Sequence, residues 1–188
     1  MSETPAAEHL TFGALIDYWL DEHGESPVEG HLLACDACTA RLAWLAGLAV
    51  EIREVVKRGE AMMILTPGML EQLAAEGLRI REYRLGPGGS VNCTIAPADD
   101  LVVAHLEAPL AGVSRLDFVA STDGVLGRMD DIPFDPATGE IVVAPRTRDL
   151  RALGRATQVA RLVAVGPEGK TAVIGEYTFN HSPFRETG

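Results

Sequence analysis

The chain carries the sequence His31-Leu32-Leu33-Ala34-Cys35-Asp36-Ala37-Cys38, which sets one imidazole and two thiols at H-x₃-C-x₂-C spacing. His31 and Cys35 fall on one face of a helical turn, and Cys35 and Cys38 can bind the same ion across a tight bend. Three ligands of this kind favour a tetrahedral Zn²⁺ site. The alternative is that the histidine and both cysteines are core residues of a helix.

The fourth ligand is one of two upstream histidines. His23 lies in a short loop with Gly24, where polar side chains are usually solvated. His9 precedes the first predicted helix and can fold back onto the corner between the second and third helices, so we favour His9. Four protein ligands leave no open position for water, so the single zinc ion is expected to be structural. The predicted ligands are therefore His9, His31, Cys35 and Cys38, with no catalytic residue and no organic cofactor.

The composition is that of an ordinary globular protein, with 188 residues, 47% apolar and 23% charged. With only three cysteines a disulfide framework is not expected, and Cys93, remote from the other two, is predicted to be a core residue. The longest apolar run, 43–50, ends at Glu51, and the N-terminus lacks a basic region followed by an apolar stretch. We therefore expect a soluble cytoplasmic protein without a membrane segment.

Charge is distributed unevenly along the chain. Residues 1–60 hold 11 acidic and 4 basic side chains, whereas the remainder holds 16 acidic and 12 basic ones, for a net charge of −11 overall. An acidic surface repels phosphate backbones, so direct nucleic-acid binding is excluded and a basic protein partner is favoured. The simpler alternative is that the charge only keeps the protein in solution.

Apolar periodicity predicts helices as far as about residue 77. The first helix spans 10–20, the second begins at the capping box Ser26-Pro27-Val28-Glu29, and the third runs from about Ala37 to Arg58 with Asp36 as its cap. A shorter helix starts at Thr66-Pro67-Gly68 and stops at Gly77. Part of the long third helix, including Trp44, is expected to remain available to another molecule.

From Leu78 the pattern changes to short runs of period two separated by turns. In the second run Val91, Cys93 and Ile95 are predicted to point inward, and Asn92 and Thr94 outward. A short helix is expected at 149–154. The predicted strands are 78–85, 90–96, 101–107, 114–120, 125–129, 140–144, 158–165 and 171–180.

The predicted fold class is α+β, in which a small zinc-bound helical bundle precedes an antiparallel β-sandwich or jelly-roll-like domain, or a barrel. We predict a zinc-binding helical domain at 1–60, a helical connector at 61–77 and a β-domain at 78–188.

The first third of the chain resembles the zinc-binding anti-sigma factors of bacteria. The resemblance implies that the helical domain wraps a sigma factor of the extracytoplasmic-function type and covers its polymerase-binding surfaces. In that family the first ligand is a His or Cys ahead of the first helix, which matches His9. The residues that carry the resemblance are His9, Leu15-Ile16-Asp17-Tyr18-Trp19-Leu20-Asp21 and Val28-Glu29-Gly30-His31-Leu32-Leu33-Ala34-Cys35-Asp36-Ala37-Cys38.

Two functions follow as expectations. In the first, the chain is a non-enzymatic anti-sigma factor in transcription regulation and stress response. The signal that releases the sigma factor is expected to act on the β-domain rather than by oxidation. Oxidation would join only Cys35 to Cys38, and this local disulfide would not cross-link the first helix to the rest of the bundle. In the second, the β-domain is a ligand-binding or small enzymatic module with an appended zinc bundle, and a pocket inside it would favour this alternative. His105 and His181 are expected to be ordinary histidines rather than ligands.

Overall fold

The computed structural model describes residues 9–19, 27–122 and 124–185. The chain divides into two units, Met1–Glu54 and Val55–Gly188. This division falls within the third helix, six residues before the domain boundary predicted after residue 60. The helical region followed by strands gives the α+β class expected from the sequence.

The first unit is helical. Its elements are α1 (Phe12–Trp19), α2 (Pro27–Ala34) and most of α3 (Asp36–Lys57). Pro27 stands at the first position of α2, where a missing amide hydrogen costs no helical hydrogen bond. Ser26, the other part of the predicted capping box, lies outside the described residues. The fully buried side chains here are Leu15 of α1 and Cys38 of α3, so the small core of this unit adjoins the cysteine motif.

The second unit contains two sheets rather than a closed barrel over the part of the chain that the structure describes. The first sheet has the strand order β1-β7-β4-β2, and the second has the order β3-β9-β8-β5-β6. Their strands are β1 (Met63–Leu65), β2 (Ile80–Leu85), β3 (Ser90–Cys93), β4 (Leu101–Glu107), β5 (Leu116–Thr122), β6 (Val125–Met129), β7 (Glu140–Ala144), β8 (Ala156–Val165) and β9 (Thr171–His181). The helices α4 (Pro67–Ala75) and α5 (Thr147–Ala152) lie between strands in sequence.

Two strand pairings correct the expectation of a wholly antiparallel domain. β2 pairs with β4 in parallel, and β3 pairs with β9 in parallel, whereas the other ladders are antiparallel. The turn at 86–89 explains the difference, because it carries the chain from the first sheet to the second instead of closing a hairpin. Gly88 donates to the carbonyl of Glu176, and Thr178 donates to that of Gly89, so the turn is fixed to β9.

The main core lies between the two sheets. It is built from inward-facing apolar side chains of both sheets. The largest fully buried side chain is that of Tyr177, whose hydroxyl donates to the carbonyl of Glu107 at 2.5 Å. Buried members of the core include Leu85, Leu106, Leu110, Leu116, Phe118, Ile132, Ile141, Val143, Leu162 and Tyr177.

A second cluster covers the outer face of the first sheet. There α4 packs Leu70 and Leu73 against Leu101 and Val103 of β4. Thr66 caps α4 by accepting a hydrogen bond from the Met69 amide at 3.2 Å, as the Thr-Pro-Gly sequence indicates. The segment predicted as a purely helical connector therefore also contains a strand, β1, which is too short to show an alternating pattern.

None of the helices within the described ranges is by itself long and apolar enough to cross a membrane. The helices α2 and α3 reach that length and hydropathy only as a pair, across a bend of 111°.

Candidate metal centre

The structure brings His9, His31, Cys35 and Cys38 together at one point of the first unit. Each offers one ligand atom, and these four atoms all lie within 4.8 Å of one another. His9 precedes α1, His31 belongs to α2, and Cys35 and Cys38 stand at the start of α3. No other group of three or more His, Cys, Asp or Glu side chains of this kind occurs in the described part of the chain.

The bend between α2 and α3 sets the position of both cysteines. Cys35 is the single non-helical residue between α2 and α3. Its carbonyl accepts hydrogen bonds from the amides of Cys38 and Thr39, each at 3.1 Å. The hydroxyl of Thr39 donates to the carbonyl of Leu32 at 2.7 Å and so ties α3 back to α2. Asp36 lies in the first turn of α3, where a carboxylate is favourable beside the positive end of the helix dipole.

The separations between ligand atoms match the edges of a tetrahedral zinc site. Nε2 of His31 lies 3.3 Å from Sγ of Cys38, and Nδ1 of His9 lies 3.5 Å from Sγ of Cys35 and 3.6 Å from Sγ of Cys38. Zinc bonds to sulfur and nitrogen of ordinary length, held at the tetrahedral angle, place these atoms about 3.6 Å apart. The donor set could therefore hold one metal ion.

Local hydrogen bonds favour the thiolate form of Cys35. The backbone amide of Cys38 is the main influence that lowers the pKa of the Cys35 thiol. The amide of Leu10 points at Sγ of Cys38 from 3.4 Å, an outer contact of the kind that orients metal-bound sulfur. The segment that carries His9 thus contributes both a ligand and a backbone donor.

Burial differs among the four ligands. Cys38 is completely buried, His31 and Cys35 are partly buried, and His9 is exposed. An ion held here would be covered by protein on the Cys38 side and open to solvent on the His9 side. Four protein ligands on one zinc ion would leave no position for a reacting water.

The alternative ligand His23 lies outside the described residues. Glu29 belongs to α2, where it stands in the first turn as the capping role requires, and is not part of the cluster. Sequence reasoning did not single out the Leu10 amide, because a backbone donor leaves no mark in the residue pattern.

The two histidines of the second unit are buried. His105 has Nε2 at 3.0 Å from Oε2 of Glu82 and Nδ1 at 3.4 Å from Oε2 of Glu140, so each ring nitrogen faces a carboxylate. His181 has Nδ1 at 3.9 Å from Sγ of Cys93, and burial lowers the pKa of this imidazole. No local pattern pairs Cys93 with His181, because the two residues are 88 positions apart in the chain.

The chain matches no known protein family and no curated protein. Among solved structures, it is similar to the N-terminal domain of phage TP901-1 ORF48, with 12% identity, a TM-score of 0.38, and a match over 57% of this chain and all of that one. It is also similar to the solution structure of Amebosin, with 10% identity, a TM-score of 0.26, and a match over 56% of this chain and all of that one.

Proposed function

We propose that this protein is an anti-sigma factor, whose first unit binds a sigma factor of the extracytoplasmic-function type and holds one structural Zn²⁺. The observation that carries the proposal is the convergence of His9, His31, Cys35 and Cys38, the same residues on which the resemblance to zinc-binding anti-sigma factors rests. The function is non-enzymatic.

The chemistry of the donor set favours zinc over other ions. Two thiolates and two imidazoles are soft or borderline ligands that suit Zn²⁺, and the closed four-ligand arrangement is typical of structural zinc. The ion would supply a cross-link between the segment before α1 and the corner between α2 and α3. A bundle this small gains most of its folding free energy from such a cross-link.

The first unit exposes apolar side chains that a partner could cover. Trp44 of α3 is 58% exposed, although it makes an edge-on contact with Phe12 of α1, whose ring centroid lies 6.2 Å away. Phe12 and Trp44 thus form an exposed apolar pair, and exposed apolar surface is common at protein-binding sites. The exposed large apolar residues of these two helices are Phe12, Ile16, Trp19, Trp44, Leu48, Val50 and Ile52.

The charge of the first 60 residues supports the same kind of partner. With 11 acidic side chains against 4 basic ones, this region favours a basic protein surface and disfavours a phosphate backbone. We therefore propose a protein partner rather than direct contact with nucleic acid. In this proposal the second unit receives the signal that releases the sigma factor.

The test is to co-express the chain with candidate sigma factors of the extracytoplasmic-function type and to measure complex formation and transcription by the reconstituted polymerase. We expect a one-to-one complex that represses transcription. Trp44→Ala should weaken the complex by about tenfold or more, as is common for a central aromatic residue. Val173→Ala is the matched control, because Val173 is 57% exposed but lies in the second unit.

Each variant is also assayed for zinc, so that a binding defect can be separated from loss of the metal site. A chain that neither binds a sigma factor nor represses transcription while retaining its metal would contradict the proposed function and leave the metal site standing.

A further inference from the structure

The second unit contains a cavity of about 780 Å³ between its two sheets. Binding sites for small molecules usually have volumes of roughly 300–1,000 Å³ and largely apolar walls. All of the residues that line this cavity belong to the second unit. It is therefore a candidate ligand site that is separate from the metal centre.

The cavity exists because one cross-strand row is made of the smallest residues. In the second sheet Ala120 of β5 is paired with Gly127 of β6 on one side and with Ala160 of β8 on the other. Ala104 of the first sheet also lines the space. Packed sheets lie about 10 Å apart and fill that gap with side chains, so a row of Gly and Ala leaves it open.

The neighbouring rows define the ends of the cavity. Two residues along β5, Phe118 pairs with Met129 and with Leu162, and this row of large side chains closes one end. In the other direction Thr122 pairs with Gln158, whose side-chain amide donates to the Thr122 hydroxyl at 3.0 Å. The site therefore has an apolar floor and a polar edge.

Thr94 is one of the residues that line the cavity, and its hydroxyl is buried without a hydrogen-bond partner among the described residues. The sequence pattern predicted that Thr94 points outward, but β3 ends at Cys93 and the alternation stops there. Its backbone is held by the Tyr83 hydroxyl, which accepts from the Thr94 amide at 3.0 Å and donates to its carbonyl at 2.8 Å. Because the Thr94 hydroxyl has almost no accessible surface, it offers no contact to a molecule in the cavity.

The charges around the cavity are already paired. Arg128 contacts the carboxylates of Asp117 and Asp130, and Glu60 lies 3.0 Å from Arg148. The remaining charged lining residues, Arg146 and Asp149, lie 3.8 Å from each other. Because no lining cation is without a counter-ion, the site offers nothing that would select a carboxylate or phosphate.

Cys93 and His181 are two further titratable residues that line the cavity, and both favour their neutral forms. Burial raises the pKa of the Cys93 thiol and lowers the pKa of the His181 imidazole. An anion in the interior would therefore meet no positive charge and would lose its hydration. These conditions favour a neutral molecule.

We propose that this cavity binds a neutral, largely apolar small molecule. The inference does not depend on sigma-factor binding or on the metal centre, since every residue that carries it lies in the second unit.

The test uses the full chain and the neutral fluorescent probe N-phenyl-1-naphthylamine. We expect the probe to bind at one site per chain and to be displaced by 1-decanol at a concentration at least about tenfold below that needed with decanoate at pH 8. Displacement by decanoate at equal or lower concentration would contradict a neutral ligand.

Substitutions that fill the cavity test whether the probe binds there. Ala120→Leu adds bulk at the centre of the cavity and is expected to weaken probe binding by at least about tenfold. Val119→Leu is the matched control on the opposite face of β5 and should bind the probe normally. Should Ala120→Leu fail to fold, Gly127→Leu replaces it, because a Cβ there meets no atom closer than the Ala120 carbonyl oxygen at 3.9 Å. Unchanged binding in a folded filling variant would overturn the proposal.

Discussion

Nε2 of His31 lies 3.3 Å from Sγ of Cys38, seven residues further along the chain. A straight helix would place these two residues two turns apart, about 10 Å along its axis. The 111° bend between α2 and α3 brings them together, and the same bend carries Cys35 to the cluster. The geometry of one corner therefore accounts for three of the four proposed ligands.

Loss of a cysteine ligand is expected to remove the metal. Cys38→Ser removes a buried residue that is proposed to bind the metal directly. It should therefore lower zinc affinity by more than the roughly 10- to 100-fold that is typical of changes to outer contacts. Far-UV circular dichroism should show loss of helix at the same time. Cys93→Ser is the matched control and is expected to retain about one zinc per chain, as measured by mass spectrometry under native conditions. Full zinc content in Cys38→Ser would disprove the ligand assignment.

Chelation should unfold the first unit and spare the second. Both tryptophans of the chain, Trp19 and Trp44, lie in the first unit, so their fluorescence reports on that unit alone. We expect addition of EDTA to shift tryptophan emission to longer wavelength, because metal binding and folding of such small domains are coupled. Calorimetry should still show the unfolding transition of the β-sheets. An unchanged emission spectrum after complete removal of zinc would show that the bundle folds without it.

The side chain of Tyr177 leaves no room for a Cβ at Gly175 of β9. A Cβ built on Gly175 would lie 2.6 Å from Cζ of Tyr177, whose ring is fully buried and held by the Glu107 carbonyl. We expect Gly175→Ala to destabilise the second unit by about 1–3 kcal/mol through overpacking. The measurement is the free energy of unfolding by urea in the presence of EDTA. Gly127→Ala is the control, since the nearest atom to its Cβ is 3.9 Å away; equal effects of the two changes would contradict the explanation.

The ion pair of Asp100 with Arg79 should make the second unit sensitive to acid. Side-chain hydrogen bonds from Arg79, at 2.9 and 3.0 Å, lower the pKa of Asp100 from 3.8 to about 2. Because the pKa is lowered in the folded state, the pair stabilises above pH 4 and this contribution disappears as the pH falls towards 2. Asp100→Asn should therefore cost about 1 kcal/mol or less at pH 7, where solvent screens the exposed pair, and close to nothing at pH 2.

The control for this prediction is Glu71→Gln, which changes an exposed carboxylate of α4. Urea unfolding of the three proteins at several pH values provides the comparison. A penalty for Asp100→Asn that is the same at pH 7 and pH 2 would exclude the ionic contribution.

Much of the secondary structure was predictable from local pattern. Leu101–Glu107, Val125–Met129 and Glu140–Ala144 occupy the ranges predicted for them, and the start of α2 at Pro27 agrees with its sequence. The strand β1 was not predicted, because three residues cannot show a period of two. Thr94 was assigned to the wrong face, because the prediction extended β3 beyond its end at Cys93.

The sequence by itself determined the residue types of the candidate metal centre, the H-x₃-C-x₂-C spacing and the change from helices to strands. Each of these features depends only on residues that are close together in the chain. Tertiary structure alone decided the parallel pairing of β2 with β4 and the meeting of Ala120, Ala160 and Gly127 in one row. The physical reason is that these relationships depend on where a turn sends the chain and on the register between strands distant in sequence. Local periodicity contains no information about either.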